Sequence, residues 1–386
     1  MKLKVLHIIP TLVQGGAEKL LFDLVSNSRD TMDMKVVTLL ADAPFFKLDP
    51  DRVQSLAMHR GRLSPRAFFQ LREIIRTFAP DVVHAWLYHG NLFSVSAWGL
   101  GVPIIWSNHV TTLSAEHSKR LTRLANRLCA LLSSRVPARI VYCATTARQV
   151  HEQIGYDAAR GMVIENGIDV AAFAFDSVER RRVRESIGLS AEDFAVGCVA
   201  RFDPQKNHPM VIEAFSRFSQ GEQARLILVG RGCTADNAQL VQWLERFGVY
   251  DRTRLLGERH DMPAVMSAFD VLLIASTYGE ALPLAALEAA AIGLPIVTTD
   301  VGDIAALVLD PADVVSPATA EAMAAAIRNV RERMSRSELE SRKVERRSRI
   351  VRDFSLDHAI ERYHALYRSL ARPIPAASNT DSFPSP

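Results

Sequence analysis

Two glutamates eight positions apart, Glu280 and Glu288, stand in Ser276-Thr277-Tyr278-Gly279-Glu280-Ala281-Leu282-Pro283-Leu284-Ala285-Ala286-Leu287-Glu288-Ala289. Pro283 fits the first residue of a helix and Gly293 its stop, which predicts a helix over 283–292 with Glu280 in the loop before it. In one continuous helix, eight steps of 100° would leave the carboxylates about 80° apart. A loop followed by a helix can instead aim both at one ligand, beside the free amides of the helix start. Glu288, set among alanines and leucine, needs a partner if it is buried. A polyol supplies one, with ribose hydroxyls for Glu288 and sugar hydroxyls for Glu280. Ala281, Leu282 and Pro283 then border the sugar. The competing reading is a structural glutamate pair that meets Lys or Arg.

A second group complements these carboxylates. Arg201 and Lys206 share the segment Val199-Ala200-Arg201-Phe202-Asp203-Pro204-Gln205-Lys206-Asn207, directly after an apolar run. Two cations at a strand's carboxyl end suit a diphosphate leaving group, whose charge grows as a glycosidic bond breaks. The alternative is a solvated basic loop. Gly15 and Gly16, between the first strand and the first helix, would let backbone approach a ligand and present helix amides to a phosphate; they also fit a turn made for packing. The pattern is not G-x-G-x-x-G, and no acidic ribose reader ends the second strand, so NAD binding is disfavoured. His109, in Trp106-Ser107-Asn108-His109 at the end of a strand, can bond a sugar hydroxyl or buffer a proton, unless it is merely structural. Gly230, in Val229-Gly230-Arg231-Gly232, would permit close contact with a nucleotide. Asp49-Pro50-Asp51 has a D-x-D form, but its Pro-containing loop reads as a surface turn and no metal is assigned.

These residues need elements to hold them. Short apolar runs at 3–9, 34–39, 82–84, 104–107 and 140–143 alternate with helical stretches beginning at Ala17 and Gly90 and around 119–132. Continuous apolar strands separated by helices imply a parallel sheet covered on both faces. A turn signal at Val163-Ile164-Glu165-Asn166-Gly167-Ile168-Asp169 precedes a charged helix at 178–187. Strands at 194–200, 225–229, 253–256, 271–274, 296–298 and 314–315 then form a second α/β unit. The expected organisation is a first α/β unit at 1–170, a second at 171–355, a last helix at 356–371 packing across the two, and a disordered Pro- and Ser-rich tail at 372–386.

The whole chain is compatible with this reading. At 386 residues it exceeds the ~250–300 at which single cores stop growing, so two domains are expected. A net charge of +3 argues against a nucleic-acid binder. The first 178 residues hold about 20 Lys and Arg against 15 Asp and Glu, an excess that could face an anionic surface. No run approaches the ~20 apolar residues of a membrane span. The run Val5-Leu6-His7-Ile8-Ile9-Pro10 is too short for a signal-peptide core, which points to a cytoplasmic protein. Cys129, Cys143, Cys198 and Cys233 lack paired spacing and read as free core thiols.

Taken in order, Gly15-Gly16, His109, Asn166-Gly167-Ile168-Asp169, Arg201 with Lys206-Asn207, Gly230 and Glu280 to Glu288 resemble the retaining GT-B glycosyltransferases of family 4, over nearly the whole chain to about residue 370. The resemblance implies two Rossmann-like domains facing across a cleft, with the donor on the second and the acceptor on the first. It implies that Arg201 and Lys206 stabilise the diphosphate, Glu288 holds the ribose and Glu280 meets the donor sugar. Gly15 and Gly16 approach phosphate or acceptor, Asn166 belongs to the substrate site, and His109 touches the sugar at the reacting face. No metal or other cofactor is implied. Retention by same-face attack leaves no covalent nucleophile to assign. The implied reaction moves a hexose from a UDP- or GDP-sugar to a glycan or lipid-linked acceptor, in bacterial surface polysaccharide synthesis. A nucleotide-sugar 2-epimerase and a non-catalytic binding member are the alternatives on this fold. Two departures stand out: Ala281 where the family often has Gly, and Ala306 where Glu is frequent. The segment Lys119-Arg120-Leu121-Thr122-Arg123-Leu124-Ala125-Asn126-Arg127-Leu128 alternates cations with leucines. It suits peripheral contact with an anionic inner leaflet, or an ordinary surface helix with snorkelling arginines.

Overall fold

The computed structural model describes residues 2–13, 15–59, 64–109, 111, 120–334 and 339–371. Lys119 and the tail at 372–386 therefore lie outside the described residues. The first sheet contains β1 Leu3–Ile9, β2 Met32–Leu40, β3 Val53–Met58, β4 Val82–Trp86, β5 Ile104–Asn108, β6 Arg139–Tyr142 and β7 Gly161–Val163. Its spatial order is β3-β2-β1-β4-β5-β6-β7, with every pairing parallel. The second contains β8 Phe194–Val199, β9 Ala224–Val229, β10 Thr253–Gly257, β11 Val271–Ile274, β12 Ile296–Thr299 and β13 Val314–Val315. It runs β10-β9-β8-β11-β12-β13, again all parallel. This is the GT-B arrangement of two parallel α/β sheets.

The central strands have two buried faces, which is why each reads as a continuous apolar run. In β1, Leu6 and Ile8 join the core beneath the helices Pro65–Phe78, Arg120–Leu132 and Thr145–Gln153. Val5 and Ile9 point the other way, toward Gly16–Asn27 and the last helix, Leu356–Leu370. That last helix buries Tyr363 and Tyr367 completely against the first sheet's core. The chain crosses between the units twice, and the crossings are paired: Ile168 donates to the Phe354 carbonyl (2.9 Å) and Leu356 to the Ile168 carbonyl (2.8 Å).

Several boundaries differ from the sequence reading. Pro283 is not the first helical residue: its ψ of 134° is extended, its carbonyl accepts from Ala286, and the helix is Leu284–Ile292. Gly293 ends that helix in the left-handed region at φ +84°. The helix expected from Gly90 is Leu87–Phe93, because Leu87 at φ +63° turns the chain immediately after β4. The edge strands β3 and β7 carry weak apolar patterns and were not anticipated; none of the three residues of β7 is fully buried.

Candidate functional site

In open parallel sheets, ligands gather beyond the carboxyl ends of the strands where the strand order reverses. Those points fall between β1 and β4 in the first sheet and between β8 and β11 in the second. The loops that follow these four strands, joined by the one after β5, surround a cavity of about 490 Å³ between the two units. Gly16, His109, Asn166, Arg201, Lys206, Glu280, Ala281, Leu282 and Pro283 all line it. Residues from five separate segments therefore meet, as a substrate site requires.

Glu280 is the electrostatic centre of the second unit's wall. It is buried, with 7% of its surface exposed, and its Oε1 forms an ion pair with the Lys206 ammonium. The same oxygen accepts from the Ser276 hydroxyl at 2.8 Å and from Gln205 Nε2 at 3.4 Å. Lys206 reaches it from the short turn Pro204–Lys206, whose start is capped by Asp203 accepting from the Gln205 amide. Arg201 stays exposed, held by Asp203 (Nε to Oδ2, 3.1 Å) and Gln205 (Nη2 to Oε1, 2.9 Å). The loop thus presents one cation inside the cavity and one at its mouth.

On the opposite wall His109 stacks on Trp86, with ring centroids 5.3 Å apart and planes 18° from parallel. Both of its ring nitrogens are buried without a hydrogen-bond partner. Burial pushes its pKa down to about 4, so the ring is neutral at pH 7 and offers one donor and one acceptor. A buried imidazole with neither position satisfied fits a ligand hydroxyl arriving from the cavity. Beneath it, Trp86 Nε1 donates to His7 Nδ1 at 3.2 Å, and His84 bridges Ser107 Oγ and the Tyr367 hydroxyl, each at 2.7 Å.

Three sequence candidates lie outside the cavity wall. Gly230 (φ +136°) is explained by a backbone crossing, since a Cβ there would fall 2.3 Å from the Ala200 carbonyl oxygen. Gly15 is covered by Glu18, whose Oε2 would meet a Cβ at 2.3 Å. Glu288 faces the first unit's helix Gly16–Asn27, where Lys19 and Asp23 pair at 2.5 Å. Burial raises the Glu288 pKa to about 7, with Lys19 opposing the rise and Asp23 adding to it. The two glutamates of the motif therefore differ in setting, Glu280 on the cavity wall and Glu288 near the helix Gly16–Asn27, whose first residues line the same cavity. Asp49 caps its own turn by accepting from the Asp51 amide, and no cluster among the described residues could hold a metal ion.

Sequence reasoning missed Glu18, Thr122, Gln205 and Tyr278, which also line the cavity. Glu18 is buried, and burial raises its pKa while its own backbone amide opposes the rise. Its place two residues after Gly16 in a helix start was the signal available: an acidic side chain near free helix amides.

Comparison with known proteins agrees with this architecture. Residues 14–172 match the family described as Glycosyltransferase Family 4, and residues 193–333 match Glycosyl transferases group 1. The glycogen synthase of Mycobacterium tuberculosis is 28% identical over 85% of this chain and 78% of its own length. The UDP-Gal:alpha-D-GlcNAc-diphosphoundecaprenol alpha-1,3-galactosyltransferase of Escherichia coli is 25% identical over 61% of this chain and 62% of its own. The crystal structure of HepE from Anabaena, in complex with UDP-glucose, superposes with a TM-score of 0.83 at 22% identity, covering 95% of this chain and 99% of that one.

Proposed function

This chain belongs to the group 1, family 4 glycosyltransferases and uses a nucleotide-sugar; we propose that it moves a hexose from a UDP-sugar, with retention, to a glycan or lipid-linked glycan of a bacterial surface polysaccharide. The carrying observation is the opposition of two groups across one cavity: Glu280 with Lys206 on the second unit, and the unpartnered His109 ring on the first. A nucleotide diphosphate entering over β8 would draw Lys206 from Glu280 and meet Arg201 at the mouth. Glu280, released, accepts from hydroxyls of the donor sugar, while His109 bonds another from the far side. Glu288 holds the ribose as a carboxylate. The choice of uracil is supported by the UDP-glucose bound to HepE and the UDP-galactose named for the Escherichia coli relative.

The acceptor side has a surface suited to lipid. The helix Arg120–Leu132 contains three arginines and no acidic residue, and four of its leucines stand in solvent: Leu121, Leu124, Leu128 and Leu131 are 40–74% exposed. At 100° per residue these leucines fall within about 80° of arc, beside the arginines. Thr122 of the same helix lines the cavity. A leaflet that receives the leucines and attracts the arginines would place a lipid-linked acceptor near the cleft. Among the described residues, no helix is long and apolar enough to cross a membrane.

The test is a panel of UDP- and GDP-sugars assayed for release of the nucleoside diphosphate, with the donor products analysed by NMR. Turnover that is lost in Lys206→Ala and Glu288→Ala supports the reading. Unchanged turnover in both variants refutes the site, and interconversion of the donor sugar without an acceptor would make the protein an epimerase.

A further inference from the structure

The loop that carries Glu280 is held at three successive backbone carbonyls. The Glu280 carbonyl accepts from the Thr111 hydroxyl at 2.8 Å, and the Leu282 carbonyl accepts from Asn166 Nδ2 at 3.0 Å. Thr111 follows β5 of the first unit, and Asn166 sits in the first crossing between the units. The carbonyl between them, that of Ala281, accepts from the Asp303 amide at 2.8 Å. Asp303 itself belongs to the second unit, yet its carboxylate reaches into the first. It accepts from the Thr145 amide (2.7 Å), the Thr146 amide (3.1 Å) and the Thr146 hydroxyl.

Those two threonines open the helix Thr145–Gln153, whose own N-cap position is Ala144 and supplies no side-chain cap. A helix start without a local cap leaves amides that favour an acceptor, above all an anionic one. Asp303 provides it from the other domain. Gly302 presses the connection tight: at φ +67°, a Cβ there would lie 2.5 Å from the carbonyl oxygens of both Glu280 and Ala281.

We propose that Asp303, together with Thr145 and Thr146, positions the donor-sugar loop for transfer, so that the Glu280 carboxylate reaches its working place only when the two domains are closed on each other. Asp303 touches no substrate in this scheme. It converts contact between domains into the placement of Ala281 and, through it, of Glu280. Thr111 and Asn166 add direct bonds on either side, so opening the cleft releases the Glu280 and Leu282 carbonyls and frees the Asp303 carboxylate from the threonines, leaving the Ala281 carbonyl on an Asp303 that is no longer anchored. The consequence is selectivity between reactions: a donor bound to the second domain alone meets a loop that is not set for chemistry, which limits its loss to water. This inference rests on the reading of Glu280 as the donor-sugar contact.

Asp303→Ala, Asp303→Asn and Thr146→Val test it on the full chain. Asp303→Ala should lower kcat by about 10–100-fold, the cost of a displaced reacting group, while the Kd for UDP stays within about twofold and the melting temperature falls by no more than the few degrees a lost helix cap costs. Asp303→Asn keeps an acceptor oxygen and should recover part of the rate; Thr146→Val should fall between. An unchanged kcat in Asp303→Ala overturns the proposal, as does a parallel loss of UDP affinity and thermal stability, which would mark a purely structural cap. Hydrogen exchange in the absence of any substrate provides the independent readout. Asp303→Ala should expose the Thr145 and Thr146 amides and also raise exchange across 277–285. Exchange confined to the threonines would overturn the coupling even if no donor were found and the functional reading itself failed.

Discussion

Lys206 and Glu280 arrive on loops after different strands, β8 and β11, and form an ion pair inside the cavity with only 17% and 8% of their side-chain surfaces exposed. The pair holds the cation at the place where a diphosphate would need it. Substituting either partner should therefore have opposite effects on product binding. Lys206→Ala should weaken UDP binding and lower kcat by about 10²–10³-fold, as for a lost donor to developing charge. Glu280→Ala should also lower kcat, yet leave UDP binding as tight as before or tighter, since Lys206 is no longer held back. Calorimetric titration of UDP beside turnover measurements separates the two. A matched loss of UDP affinity in Glu280→Ala would show that Glu280 helps to hold the nucleotide.

The pH dependence of donor binding should be set by Glu288. Burial raises its pKa to about 7, so the carboxyl gains its charge across neutrality. Ribose hydroxyls donate to a carboxylate more strongly than to the neutral acid. UDP affinity should accordingly rise between pH 6 and 8, by at most about tenfold per pH unit below the pKa, and Glu288→Gln should flatten that rise. Stability runs the other way: a pKa raised by folding contributes stability that is full below about pH 4.5 and is lost as the pH climbs through 7. Glu288→Gln should remove that loss in urea titrations at pH 5 and 8.

The histidines impose the opposite trend at lower pH. Burial pushes His7 down to about 3, and His109, His151 and His208 down to about 4. In the unfolded chain each would take up a proton near pH 6.5. Their contribution to stability is therefore complete above 6.5 and disappears as the pH falls toward 4. The urea midpoint should drop steeply between pH 6.5 and 4.5, and His208→Gln should shallow the slope. A midpoint that stays level over that range would mean that these rings titrate in the folded protein.

Much of this was legible in the sequence because parallel strands covered on both faces leave an unmistakable apolar run. Val271–Ile274 and Leu3–Ile9 have the bounds their composition predicts. The cavity residues were legible for a related reason: Arg201, Lys206, His109 and Glu280 all follow such runs, where chemistry gathers in this architecture. What escaped was everything set by contact between segments remote in sequence. Asp303 looks like a loop aspartate until Thr145 and Thr146 are seen above it, 157 positions or more away. Glu18 looks like a surface charge until its side chain is seen folded over Gly15 at the cavity wall. Pro283 is extended and precedes the helix by one residue, which spacing alone does not distinguish from a helical proline.

Gly230 shows how a glycine at a strand end can be required by the backbone alone. Its φ of +136° is accessible only to glycine without strain, and the Ala200 carbonyl fills the space where a side chain would begin. The Gly230 amide meanwhile donates to the Gly257 carbonyl at 2.7 Å, and the Ala200 amide to the Val229 carbonyl at 2.9 Å. This crossing joins the loops after β8, β9 and β10, so a displaced Ala200 would shift Arg201 with it. Gly230→Ala should cost about 2 kcal/mol or more of stability, as a strained backbone does, and lower the melting temperature. If the glycine serves only the crossing, the folded fraction should bind UDP through Lys206 with an affinity close to the parent's. A selective loss of UDP affinity at unchanged melting temperature would instead place Gly230 against the nucleotide, as its sequence context first suggested.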